Sequence, residues 1–172
     1  MAHTTVIYEG TPGRRLQNAH LEVVGIADDD GLDDAVEQAI AAGAGRIELC
    51  GGMGAAHLAR ARELAAGRVP VGLLRYGFES LELIALYKQS FAAGTPGPAA
   101  FLFPAVDDTE PVEHQDVTIL PVYDRDHAER IGARFARDGI GMVELYGGLG
   151  PAAATAVLRG AGGAVPVGFV DP

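Results

Sequence analysis

The chain has 172 residues, 48% of them apolar, and a net charge of −10. That length makes one ordinary domain or two small ones, and no apolar run reaches the ~20 residues that span a bilayer. The acidic balance argues against a nucleic-acid partner and against a polybasic membrane contact.

Residues 6–8 are β-branched and aromatic and read as a strand. The connection 9–20 holds Gly10, Pro12 and Gly13, with a helical turn expected over 14–18. A second strand follows at 21–26. Asp28, Asp29, Asp30 and Gly31 close it and offer N-caps to a helix at 32–42, whose Leu32, Val36, Ala39 and Ile40 share a face. Gly43 stops that helix. A third strand at 46–50 runs through the turn 51–54 into a helix at 55–66, and a fourth strand occupies 69–74. A longer helix is expected at 78–93, with Phe78, Leu81, Leu83, Ile84, Leu86, Tyr87 and Phe91 as its apolar set. Residues 94–98, Gly-Thr-Pro-Gly-Pro, read as a linker.

Beyond the linker the pattern repeats. Strands are expected at 101–103, 117–122, 142–146 and 165–170, and helices at 126–137 and 151–158. Pairing residue n with n+96 matches 21–76 to 117–172 without a gap, and 16 of the 56 pairs are identical. Such self-similarity marks a duplicated architecture. The identities gather at Asp28/Asp124, Asp30/Asp126, Gly43/Gly139, Glu48/Glu144, Leu49/Leu145, the glycine turns, and Val-Pro-Val-Gly at 69–72 and 165–168. The chain is therefore expected to be a single domain of two repeats, 1–93 and 99–172.

Alternating strands and helices imply parallel pairing with right-handed crossovers. Two copies of four strands predict a small (βα)8 TIM-like barrel built from two half-barrels. The alternative is two small open α/β sheet units, which follows if the connections 9–20 and 104–116 are hairpins. A last helix is missing after 165–170, so the barrel would leave apolar surface near its last and first strands. A homo-oligomer, a dimer, is expected to cover it.

In either fold, ligands bind at the C-terminal ends of the strands. Gly51, Gly52 and Gly54, and again Gly147, Gly148 and Gly150, put backbone N–H groups at a helix N-terminus, which suits a small anionic or phosphorylated molecule. The plain alternative is a tight strand-to-helix turn. Glu48 with Cys50, and Glu144 with Tyr146, would face the barrel interior, where crowding raises a carboxyl pKa toward acid/base use. Arg75 would orient a substrate or pair with Glu48. The aspartates at 28, 30, 124 and 126 read first as caps and second as a hard-cation site. Cys50 has no histidine at a telling position. His3, His20, His57, His114 and His127 lack metal-ligand spacing, so no metal and no cofactor is expected. A lone cysteine and the absence of a basic-then-apolar leader pattern point to a cytoplasmic setting.

The motif Glu-Leu-Cys-Gly-Gly-x-Gly followed by Val-Pro-Val-Gly resembles a family of small bacterial proteins of unknown function, whose members carry one copy. On that resemblance the chain is a tandem fusion of two. Its second copy departs with Tyr146 for Cys50 and Asp171 for Arg75. The resemblance implies no activity. A looser likeness is to the histidine-biosynthesis barrels, which are similar in being duplicated half-barrels with glycine-rich phosphate sites. Their aspartates on the first and fifth strands have no counterpart at 6–8 or 101–103, so their reaction does not transfer.

Two functions follow. One is an isomerase- or lyase-type enzyme in which Glu48 and Glu144 exchange protons and Arg75 orients an anionic substrate. The other is a non-catalytic ligand-binding or assembly protein whose glutamates are structural.

Overall fold

The computed structural model describes residues 3–17, 20–105, 111–114 and 117–171. The chain forms two compact units, Met1–Leu74 and Arg75–Pro172. The division falls about twenty residues before the 94–98 linker read from the sequence.

The N-terminal unit contains β1 (Thr4–Glu9), β2 (Gly13–Gln17), β3 (Leu21–Ile26), α1 (Asp29–Ala41), β4 (Arg46–Leu49), α2 (Ala55–Ala65) and β5 (Val71–Leu73). Its sheet runs β2-β3-β1-β4-β5, parallel throughout except for β2, which is antiparallel to β3. The C-terminal unit opens with β6 (Arg75–Tyr76), a 3-10 turn (Phe78–Ser80) and α3 (Leu81–Ala92). It continues through β7 (Ala99–Pro104), β8 (Val112–His114), β9 (Val117–Val122), α4 (Arg125–Asp138), β10 (Met142–Leu145), α5 (Gly150–Ala161) and β11 (Val167–Phe169). Its sheet runs β6-β11-β10-β7-β9-β8, with β6 and β8 antiparallel at the two edges.

The barrel is therefore corrected to its alternative, two open α/β sheets. Closure would require a parallel neighbour on the outer side of β3, β9 and β11. Those places are taken by the antiparallel strands β2, β8 and β6. β1 and β3 do pair in parallel, as do β7 and β9, but each connection between them carries an edge strand of its own. The helical turn expected at 14–18 is β2 as far as Gln17, and residue 18 lies outside the described residues, as does Pro172.

The helices form where the sequence caps them and spaces their apolar residues. Asp28 and Asp124 sit in extended backbone and accept from the N–H groups of Gly31 (3.0 Å) and His127 (2.7 Å). α1 buries Leu32, Ala35, Val36 and Ala39, and full burial of a Leu or Val is worth about 1.5–3 kcal/mol. In the C-terminal unit one sheet face packs Ala100, Leu102, Val143, Leu145 and Val167 against Ala128, Ile131, Phe135, Ala154 and Val157 of α4 and α5. Those two helices cross closely at Gly132 and Gly160, where a Cβ would strike the carbonyls of Val157 and Glu129.

The other face follows from register. Glu144 is level with Phe101 and Gly168, and Glu48 with Val6 and Gly72. By alternation both glutamates lie opposite the face bearing Leu49 or Leu145. Among the described residues no helix is long and apolar enough to cross a membrane.

β6, the 3-10 turn and α3 belong to the C-terminal unit, although the repeat they end is the first. β6 pairs with β11. The buried Ser80 hydroxyl accepts from the N–H of Val167 (3.0 Å) and donates to its carbonyl (3.3 Å), so it serves as a strand partner.

Candidate functional site at the strand ends of the N-terminal unit

The parallel strands of the N-terminal unit stand in the order β3-β1-β4-β5. The connection leaving β1 turns toward β2 and β3, whereas the one leaving β4 turns toward β5. The switch point of the sheet therefore lies between the carboxyl ends of β1 and β4, where open α/β sheets bind ligands.

Glu9 is the last residue of β1. The β4 strand is prolonged by Cys50, whose N–H donates to the Ile7 carbonyl at 2.9 Å, and the turn closes through Met53 N–H to the Cys50 carbonyl at 3.1 Å. Gly52 makes room for the acid: a Cβ there would lie 3.0 Å from Glu9 Oε2 and 3.6 Å from Cys50 Sγ. His57 stands in the first turn of α2, and its Nδ1 accepts from the Gly54 N–H at 2.9 Å. In the neutral ring the proton must then sit on Nε2. Nε2 lies 3.0 Å from Asp29 Oδ1 and 4.0 Å from Glu9 Oε1. Three titratable side chains thus meet beside this switch point, from β1, α1 and α2. His57 and Glu9 are part-buried, while Asp29 is 89% exposed.

The equivalent place in the C-terminal unit is built otherwise. Register sets Pro104 opposite Val122 as Glu9 is set opposite Ile26, so Pro104 stands where Glu9 does. Ala153 and Arg125 occupy the positions of His57 and Asp29. Gly147 has φ 67°, and a Cβ on it would lie 2.7 Å from Pro104 Cδ. The two turns share Gly-Gly-x-Gly but not a conformation. Gly147, Gly148 and Gly150 all have positive φ, whereas Gly54 has φ −112° and N-caps α2. α5 begins at Gly150, with Pro151 in its first turn.

The glutamates kept by both repeats lie in different sheets with different partners, not in one barrel interior. Glu48 is fully buried and pairs with Arg46 two residues earlier, at 3.3 Å. Glu144 is equally buried. Its Oε1 accepts from Tyr76 OH at 2.8 Å and its Oε2 from Tyr146 OH. Tyr146 also meets Phe101 edge-on, with ring centroids 5.4 Å apart. Arg75 lies exposed in β6, paired through its backbone with Phe169. Cys50 is buried at the head of the first turn.

Sequence reasoning passed over Glu9, Asp29 and His57. It searched for what the two repeats retain, and these are positions where they differ. The available signal was His57 three residues after a capping glycine, a place from which a side chain reaches back to the N-cap amide.

The profile of a family of unknown function (DUF6506) matches residues 13–89 and again 102–171, as a tandem duplication requires. No curated protein matches the chain. Among solved structures, an ABC transporter solute-binding protein from Actinobacillus succinogenes with bound D-allose is 10% identical, with 94% of this chain and 72% of that one covered at a TM-score of 0.32. One from Clostridium phytofermentas with bound L-rhamnose is 16% identical, with 97% and 68% covered at 0.32. A protein from Mycobacterium smegmatis is 13% identical, with 94% and 69% covered at 0.31. Likeness at these scores carries no argument about the ligand.

Proposed function

The chain belongs to this family of unknown function, so its role must be read from the site, and we propose that it binds a small molecule at the switch point between the ends of β1 and β4. The observation behind this is the convergence of Glu9, Asp29 and His57 around a glycine turn, at the one of two equivalent places where an acid and a histidine replace Pro104 and Ala153. His57 Nε2 offers a hydrogen to the ligand in place of the exposed Asp29, and Glu9 accepts one. Two carboxylates disfavour an anion there, since like charges about 4 Å apart cost ~1 kcal/mol even in water. The expected ligand is a neutral hydroxyl-bearing molecule or an amine. Glu48 and Glu144 are structural in this reading, because each is buried with its charge or its oxygens already engaged.

The second reading keeps the anionic ligand and moves it to Gly147, Gly148 and Gly150, because the first turn of α5 carries no acid. Glu144 and Arg75 of the same unit would then serve an isomerase- or lyase-type reaction. Thermal unfolding separates the two. The panel holds neutral sugars and polyols, small amines, phosphate and sulfate, at matched ionic strength. A ligand at ~100 times its Kd adds about 2.7 kcal/mol, or several degrees. The first reading expects a saturable shift with a polyol or amine. That shift disappears in His57→Ala and Glu9→Gln and persists in Glu144→Gln. A shift with phosphate alone, lost in Gly148→Ala, would replace it with the second. No shift with any compound removes the ligand reading.

A further inference from the structure

The segment 75–92 is fastened to the C-terminal unit unevenly. α3 buries none of its side chains, and Leu81, Leu86 and Phe91 stand 46%, 59% and 48% exposed. The strongest contacts gather ahead of it. Arg75 and Tyr76 pair antiparallel with Phe169 and Gly168 of β11. The fully buried Ser80 makes its two hydrogen bonds to the backbone of Val167. Tyr76 reaches further. Register sets it level with Gly168, and Gly168 level with Glu144, so the three share a sheet face. Gly168 puts no side chain in the way, and the Tyr76 hydroxyl donates across it to Glu144 Oε1 at 2.8 Å. Further along, Tyr87 OH donates to the Gly97 carbonyl at 3.2 Å.

An element with little buried apolar surface sits at the low-stability end of a fold. Here it is a helix whose anchors lie outside it, in β6 and the 3-10 turn. A helix of 12 residues is marginal in water on its own. Once its anchors part, α3 should therefore melt with them. We propose that residues 75–92 form a strap that opens from the C-terminal unit as one piece, with Tyr76 and Ser80 as its latches, while α4, α5 and the parallel strands stay folded. Opening frees the N–H and carbonyl of Val167 and bares the outer edge of β11, a row of groups that a further strand can join. It also takes the Tyr76 phenol from Glu144, the acid that both repeats retain, while the Tyr146 hydroxyl stays.

The strap does not rest on the ligand reading and is tested apart from it. The full chain is followed by native-state hydrogen exchange with mass spectrometry, in denaturant below the unfolding midpoint. Peptides from 75–92 should exchange together, and faster than those from α4 and α5. Tyr76→Phe and Ser80→Ala each remove a latch and should raise exchange throughout α3 about tenfold, although neither residue lies in α3. Val157→Ala, in the buried face of α5, should do otherwise: it should raise exchange in α4 and α5 and leave 75–92 as it was. The proposal is overturned if 75–92 exchanges only together with α4 and α5, or if Val157→Ala raises both alike, since the segment then opens only by global unfolding. It is also overturned if α3 is indifferent to the latch variants, since the helix then frays by itself. Should Ser80→Ala disturb the fold by circular dichroism, Tyr76→Phe decides alone.

Discussion

His127 shows how one side chain couples this fold to pH. Burial, then repulsion from Arg130 and Arg134, pushes its pKa below the usual histidine value, and the attraction of Asp124 does not make this up. Its Nδ1 also accepts from the Tyr123 N–H at 3.3 Å, which only the neutral ring can do. Below about pH 6.5 the unfolded chain takes up a proton that the folded ring resists. Stability present above that pH should therefore fall as the solution is acidified toward the folded value, and then level off. Denaturant midpoints measured from pH 7.5 to pH 5 should show this slope in the wild type and a shallower one in His127→Asn. An equal slope in both would assign the effect to other groups. The buried glutamates teach a related lesson. Glu48 and Glu144 were legible as a matched pair, because both repeats keep them. Their partners were not legible, because Arg46 answers one charge and two tyrosines, one of them from β6, answer the other.

At the scale of elements, local signals were read well. The caps at Asp28 and Asp124 and the alternation of strands and helices depend on neighbours in sequence. Closure was not legible, since it depends on what occupies three sheet edges. Residues 13–17, Gly-Arg-Arg-Leu-Gln, favour a helical turn by propensity, and only pairing with β3 makes them a strand. The glycine turns were read as equal because their glycines are identical, and they are not equal. Gly147 occupies the left-handed region against a proline ring, whereas Gly52 lies outside that region and faces the end of the long Glu9 side chain. Gly147→Ala should therefore cost markedly more stability than Gly52→Ala, by about 1 kcal/mol or more. The comparison is a pair of denaturant titrations, and equal losses would mean that the two turns relax alike. The polar cluster at the switch point was missed for a complementary reason. Retention between repeats finds what the architecture needs in both places, while the proposed ligand site is written in the differences, Glu9 against Pro104 and His57 against Ala153.

Across the whole molecule, the compact units and the sequence repeats do not coincide. The segment 75–92 belongs to the first repeat by sequence and to the second unit by pairing. A fragment spanning 75–172 should therefore be more stable than one spanning 99–172, which lacks β6 and leaves the edge of β11 bare. A fragment of 1–74 should lose little relative to 1–93. Thermal melts of the four fragments check this, and a 99–172 fragment as stable as 75–172 would show that β6 and α3 add nothing.

The hydroxyl of Ser80 and the strand β6 are completed by β11, which lies some ninety residues further along the chain. During synthesis at about 5–20 residues per second, that separation keeps β6 and the apolar α3 waiting for roughly 5–20 s before their partner leaves the ribosome. The N-terminal sheet, residues 4–73, is already complete when that interval begins and can fold ahead of them. The exposed helix that follows it is then the stretch of the nascent chain most in need of shelter, and a chaperone that holds newly made protein should be found on residues 78–92 first.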